Sequence, residues 1–297
     1  MRLERLYKTS SKGATQVIDM VIEGDTYTRS WGQLDGKMQS KATTAKGKNI
    51  GKANETTPEQ QAIIEAEAVW VKKQKANYST SEEAPVTVKL PMKVNDYHKH
   101  KKKINFPCFT SVKLNGVNAE YRLVDGELKL LSRGGEEYPI PEHQALEAKA
   151  LLKHLGTNSI NGEMYIHGKY LQDIMAATKK HNTDTPELKF WIFDFPEVAG
   201  DYNTRCTSMY GRYNDISIFT PSLPLIQVGV AHSHEELDVL HGQAVHAGYE
   251  GIIIRNTTGL YEYNKRSLNV FKYKIAQDAE FYVRSFALDK NGHAVFS

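Results

Sequence analysis

Cysteine is nearly absent: Cys108 and Cys206 are the two in 297 residues, too few for a disulfide framework or a four-cysteine zinc site. Long apolar runs are absent too. No stretch reaches the length of a bilayer span, and Met1 to Lys8 lacks the apolar core of a signal peptide. The sequence therefore predicts no membrane association and a cytoplasmic protein. There is no internal repeat, no glycine-rich phosphate loop and no dinucleotide fingerprint. His98 and His100 lack a partner cluster and are not read as a metal site. Nothing implies an obligate protein partner, and the sequence does not speak to oligomeric state.

The length exceeds one ordinary core and allows two domains. A net charge of +3 conceals a strong asymmetry. Residues 1 to 107 hold 19 Lys and Arg against 12 Asp and Glu, and the remainder holds 19 against 23. A basic front on a near-neutral body is the footprint expected for contact with a phosphate backbone.

Four separated phrases carry chemistry: Lys113-Leu114-Asn115-Gly116, Asn161-Gly162-Glu163, Glu250 to Arg255, and Phe271-Lys272-Tyr273-Lys274. Singly each is weak, since Lys-x-x-Gly is usually a surface turn and Lys-x-Lys a solvated face. Together they form a kit for attack on a nucleotide phosphate. Lys113 can serve as the nucleophile if cations such as Lys272, Lys274 or a metal favour its neutral amine. Glu163 and Glu250 are hard oxygen donors of the kind Mg²⁺ prefers, and Gly116 lets the backbone turn sharply.

The local pattern places these phrases on an α+β framework. Ser132-Arg133-Gly134-Gly135 lies a hairpin's length beyond Lys113, and Met164 to Gly168 reads as a strand running into a helix at Leu171. Lys189 to Phe195 is an apolar, aromatic strand. Pro141 to Leu155 is a helix with Leu146, Ala150 and Leu151 on one side, ended by Gly156, and Ser233 caps another. Near the front, Val17 to Ile22 and Tyr27 to Gly32 read as strands, and Lys41 to Asn54 as a loop. Thr57, Pro58 and Gln60 then open a helix whose Ile63, Ala66 and Trp70 share one face. Trp31 is expected in the core. Lys46, Lys48 and Lys52 in the loop, and Lys101, Lys102 and Lys103 in the densest basic run, are the candidate nucleic-acid contacts. Ser79 to Pro85 reads as a linker.

With these phrases in their order, the chain resembles the ATP-dependent DNA ligases of bacteriophages, within the covalent nucleotidyltransferase superfamily. Gly162 to Gly168 and Tyr249 to Asn256 are especially ligase-like. The resemblance implies an ATP-grasp-like adenylyltransferase domain of antiparallel sheets flanked by helices over residues 85–276. It also implies a small WGR-like sheet-plus-helix domain over 1–84, and an OB-fold begun but not completed over 277–297. It implies that ATP and Mg²⁺ are required, that nicked duplex DNA is the partner, and that the setting is repair, replication or recombination, in host cytoplasm if phage-encoded.

By the same resemblance Lys113 takes AMP from ATP and passes it to a 5′-phosphate, and a 3′-hydroxyl then displaces AMP. Arg133 contacts the nucleotide or the 5′-phosphate, Glu163 the ribose or metal, and Phe193 stacks on adenine. Glu250 is a metal ligand, while Lys272 and Lys274 hold the α-phosphate. Where the family pattern is Lys-x-Asp-Gly-x-Arg, this chain has Asn115 and Asn118. An amide at 118 cannot reproduce a forked guanidinium contact and keeps an RNA ligase open as an alternative. The short C-terminus keeps open a DNA-binding fragment without joining activity. Glu280 to Leu288, Asn291-Gly292 and His293 to Phe296 read as a closing hairpin.

Overall fold

The computed structural model describes residues 1–9, 14–74, 76, 78–81, 89–275, 282–288 and 294–296. They fall into two compact units, Met1–Pro91 with Lys129–Tyr138, and Met92–Leu128 with Pro139–Ser297. The expected domain boundaries at 84/85 and 276/277, and most of the expected linker, lie outside the described residues.

In the first unit, β1 (Arg2–Thr9), β2 (Thr15–Glu23), β3 (Thr26–Gln33) and β4 (Gln39–Thr44) form an antiparallel sheet in chain order, followed by helix α1 (Pro58–Gln74). Strand alternation sorts the residues. Met20 and Ile22 turn to the helix and pack with Ala45, Ala62 and Ala66, flanked by Leu3, Tyr27, Ile63 and Val69. The helix start is as expected: Thr57 N–H donates to Gln60 Oε1 at 3.0 Å and Gln60 N–H to Thr57 Oγ1 at 3.3 Å.

Two expectations fail in this unit. Lys41 to Thr44 is not loop but part of β4, because Arg29↔Lys41 and Tyr27↔Thr43 continue the ladder; its largely polar composition hides an exposed edge strand. Trp31 is only partly buried, since it lies outside the cluster under α1 and its ring is covered instead by Arg29, with Cζ 4.6 Å from the centroid. Tyr27 to Gly32 lies within β3, as the strand reading expected.

The second unit begins with β5 (Lys93–Asp96), the short helix α2 (Tyr97–His100), β6 (Cys108–Lys113) and β7 (Val117–Val124). The chain continues through β8 (Glu127–Ser132) and β9 (Glu137–Tyr138), a paired hairpin, to α3 (Glu142–Leu155), β10 (Ser159–Tyr165), α4 (Leu171–Lys179) and β11 (Lys189–Asp194). It closes with α5 (Tyr202–Tyr213), β12 (Gly229–Ala231), α6 (His234–His246), β13 (Gly251–Asn256), β14 (Arg266–Tyr273), and the pair β15 (Phe286–Leu288) and β16 (Ala294–Phe296).

Two sheets matter for the site. One has the order β12-β6-β13-β14-β5. It is antiparallel except at β14 and β5, which run parallel and correct the all-antiparallel expectation. The other places β10 between β7 and β11, both antiparallel to it. Ile252, Ile254, Phe271 and Tyr273 pack with Leu237 and Ala244 of α6 on one face of the first sheet. In α3 the buried residues are Gln144, Ala148, Leu151, Leu152 and Leu155. That stripe follows the helical period, so Leu146, 80% exposed, falls off it and is not on the packing face as expected. The closing hairpin exists, but its turn lies outside the described residues, and Tyr282 to Ser285 is not strand.

Candidate active site

Register between β6 and β13 builds the centre of the site. Gly251 pairs with Lys113, Ile253 with Ser111 and Arg255 with Phe109, while Ile253 also faces Lys272 across β14. Directly opposed residues share a face, so Lys113, Ser111, Ile253, Arg255 and Lys272 line the side of the sheet away from α6. Gly251 has φ +146°, and a Cβ there would run into the Tyr273 carbonyl. Only glycine lets the chain bring Glu250 to the end of β6, where its N–H donates to the Lys113 carbonyl at 3.1 Å.

Glu250 is the hub. The Lys113 ammonium donates to Oε2 of its carboxylate, and Lys274 Nζ donates to Oε1 at 2.5 Å. Burial pushes this carboxylate up, but the hydrogen bonds and charges of the two lysines outweigh it and hold Glu250 below the usual range. The pair is partly sheltered, with side-chain exposures of 19% for Lys113 and 21% for Glu250, and Lys274 reaches water at 43%. Between Lys272 and Lys274, Tyr273 turns the other way. Its ring stacks at 4.2 Å on both Tyr97 and His241, and its hydroxyl donates to Asp238 at 2.8 Å. That anchorage fixes which way Lys272 points.

The second sheet supplies Glu163 and Phe193. Gly116, three residues beyond Lys113, is pressed against β10: a Cβ on it would strike the Met164 carbonyl and lie 2.8 Å from Glu163 Cγ. Gly116 is therefore required by this close approach, and its backbone is not in the left-handed region. Glu163 pairs with Asn118 across β10 and β7. Asn118 Nδ2 donates to the Gly162 carbonyl at 3.3 Å, and its buried Oδ1 has no partner.

Phe193 of β11 lies against Arg255, whose Cζ is 5.4 Å from its ring centroid and 5.0 Å from that of Tyr202. Arg255 is 5% exposed, donates to Ser111 Oγ at 3.3 Å and leaves Nε unpartnered. The sequence reading gave Arg255 no role; the signal was a cation closing an apolar strand in the phase of Gly251 and Ile253. Phe193 itself is held by its neighbour Asp194, which accepts from Arg205 Nε at 2.7 Å and Nη2 at 3.2 Å in a buried fork.

One side of a sheet thus carries a lysine, a carboxylate and further lysines at one end, and an arginine with aromatic rings at the other. Residues 88–274 match the model of the ATP dependent DNA ligase domain, well over half of the chain. The chain belongs to the ATP-dependent DNA ligase family. This family uses ATP and joins DNA through a covalent lysyl-AMP. The DNA ligase of African swine fever virus (isolate Warthog/Namibia/Wart80/1980) is 29% identical over 300 residues, covering 96% of this chain and 69% of the relative. That of Enterobacteria phage T4 is 21% identical over 230 residues, 61% of this chain and 47% of the relative.

Solved ligase structures agree on the fold. The ATP-dependent DNA ligase of bacteriophage T7, in complex with ATP, superposes with a TM-score of 0.53 at 15% identity, over 70% of this chain and 80% of that one. A Lig E DNA ligase gives 0.54 at 18% identity, over 69% and 75%. Both have the mixed helix and sheet fold of ligase adenylation domains.

The ligase's remaining sequence-derived residues are scattered. Arg133 is exposed on a turn stapled by Ser132, whose Oγ accepts from Gly134 N–H at 3.2 Å and Glu136 N–H at 3.0 Å. Its segment clusters with the first unit. Lys46 and Lys52 are exposed, whereas Lys48 is tied to Glu65 of α1 at 2.7 Å. Lys101, Lys102 and Lys103 form an exposed 3₁₀ turn after α2. No helix among the described residues is long and apolar enough to cross a membrane.

Proposed function

We propose that this ligase seals nicks in duplex DNA with Lys113 as the adenylated nucleophile. The observation that carries the reading is the convergence of Lys113 and Lys274 on the two oxygens of Glu250. In the first step the Lys113 amine bonds to the α-phosphorus of ATP, the bridging P–O bond to the β-phosphate breaks, and pyrophosphate leaves. Lys113 must first shed a proton, and Glu250, already its hydrogen-bond acceptor, is in place to take it. AMP then passes to the 5′-phosphate at the nick, and the 3′-hydroxyl displaces it to close the strand.

Lys272 and Lys274 neutralise the α-phosphate, positioning and charge supplying most of the rate. Phe193 stacks on the adenine, Arg133 meets the nucleotide or the 5′-phosphate, and Glu163 lies on the ribose or metal side. No three His, Cys, Asp or Glu side chains converge among the described residues. Glu163 and Glu250, hard oxygen donors of the kind Mg²⁺ prefers, are the residues that would hold a metal here. When bound it would supply positive charge at the phosphates and at the departing pyrophosphate.

The same reading assigns residues 1–84 to a WGR-like DNA-binding domain, supported by the four-stranded sheet with one helix. It assigns 85–276 to adenylation and 277–297 to the opening strands of an OB-fold, supported by the β15 and β16 pair. Lys46, Lys48, Lys52, Lys101, Lys102 and Lys103 follow the DNA backbone. The setting is DNA repair, replication or recombination in the cytoplasm of a host cell, as the viral relatives favour.

The test is incubation with α-labelled ATP and Mg²⁺, a denaturing gel, and a chase with nicked DNA. A labelled band that disappears as joined DNA forms is expected. Lys113→Ala should give no band while binding DNA nearly as before, and adduct on that variant would refute the assignment.

A further inference from the structure

The α1-facing side of the first unit's sheet does not close over with apolar side chains at its β1 and β3 end. Cations gather there instead. Lys8 Nζ lies 5.3 Å and Lys73 Nζ 5.9 Å from the centroid of the same ring, Tyr78, and Arg29 Cζ lies 4.6 Å over Trp31. The Tyr78 segment is fastened to β1 by Tyr7 N–H to the Ser79 carbonyl at 2.7 Å and Ser79 N–H to the Tyr7 carbonyl at 2.9 Å. Lys8 is further pinned by donation to the Ala76 carbonyl at 2.7 Å, and the Tyr78 hydroxyl donates to Gln16 at 3.3 Å.

Among the described residues, Lys8, Arg29, Lys72 and Lys73 form no ion pair with a carboxylate. None of the residues that β2, β3 and β4 turn to this side is Asp or Glu, and Asp19 is on the opposite face, engaged by Arg5 at 2.8 Å. Arg29 even faces Lys41 directly across the ladder, a like-charge pairing that costs stability. Burial and then the charges of Arg29, Lys8 and Lys72 hold Lys73 below its ordinary value. Rings that hold cations in place without neutralising them leave the full charge available to a ligand.

We propose that Lys8, Arg29, Lys72 and Lys73, set by Tyr78 and Trp31, form a phosphate-backbone site for duplex DNA, and that this surface, not the Lys46 to Lys52 loop, is the first unit's main DNA contact. The proposal rests on the DNA-joining reading above. The loop is the weaker candidate because Lys48 is already spent on Glu65.

The experiment measures binding of the full chain to a fluorescent nicked duplex by anisotropy across a salt series, together with self-adenylation. Wild type is compared with Arg29→Gln/Lys73→Gln, Arg29→Lys and Lys46→Gln/Lys52→Gln. Loss of two phosphate contacts should flatten the log–log salt slope by about 1.8 and weaken binding roughly 30-fold at about 0.15 M salt. Arg29→Lys should stay near wild type, the loop variant should lose clearly less affinity and slope than the double variant, and adenylation should be unchanged throughout. An unchanged slope in a double variant that unfolds at the wild-type temperature overturns the proposal, as does a loss confined to the loop variant. Absence of adenylate on every chain, with DNA binding behaving as described, would refute the ligase reading and leave the surface standing.

Discussion

Replacing Glu250 by Gln keeps the shape of the hub and removes its charge. Lys113 and Lys274 would then face each other without the carboxylate that holds them. Two ammonium groups roughly 6 Å apart repel by about 3 kcal/mol at an effective dielectric near 20. Lys274 is 43% exposed and can swing into water, so most of that is relieved, and a net loss of about 1–2 kcal/mol is expected, between a surface and a buried pair. The sign with pH follows from the depressed carboxylate. Because Glu250 is held below its ordinary 4.5 in the folded state, its contribution is fully present above that value and fades as pH falls through the folded one. Urea unfolding of wild type and Glu250→Gln at pH 7 and at stepped values below 4.5 gives the difference directly. A gap of this size that narrows in acid is expected. A gap that stays constant with pH, or its absence at pH 7, would show that the hub is not an ion pair in solution.

Asp194→Asn should cost about 3–5 kcal/mol, because Arg205 would be left charged and buried without its fork partner; chemical denaturation measures it. Gly116→Ala should lower the unfolding temperature and slow self-adenylation together, since its methyl group would wedge β10 away from the Lys113 loop; a stable, fully active variant would show that the approach is not tight. Thr57→Ala should cost about 1 kcal/mol through loss of the capping box, with adenylation untouched.

The candidate site was legible because each piece sits in a short phrase whose local geometry it also dictates. Lys113 before Gly116, Glu163 after Gly162 and Glu250 before Gly251 pair a polar group with the glycine that makes room for it. What phrases do not encode is register. That Lys274 and Lys113 meet on one carboxylate depends on β13 lying between β6 and β14 with Gly251 opposite Lys113, a pairing across more than a hundred residues of chain. Arg255 stayed hidden for the same reason, since its partners Ser111, Phe193 and Tyr202 come from three other elements. Composition misled elsewhere. β4 looks like loop because an exposed edge strand has no apolar alternation to show, and Trp31 looks like core until Arg29 is seen to occupy its face.

The geometry of the hub also bears on why a ligase would hold Lys113, its proposed nucleophile, on a carboxylate. A lysine exposed at a strand end would be free to rotate, and fixing it later would cost rotamer entropy at the moment of attack. The bond to Glu250 fixes it beforehand, on a sheet whose backbone already joins the two residues through the Glu250 N–H and the Lys113 carbonyl. Glu250 carries one negative charge against Lys113, Lys274 and Lys272, so the group as a whole remains cationic and still draws a polyphosphate. An arriving α-phosphate competes with Glu250 for the same lysines, and any cation that engages the carboxylate tips that competition. On this argument, Lys272→Gln should weaken ATP binding more than it slows the adenylation of bound ATP. Lys272 is absent from the ion pairs among the described residues and shares the face of Lys113, so in the proposed role its charge is directed at the nucleotide. A variant with unchanged ATP affinity and a collapsed rate would instead place Lys272 on the reacting atoms.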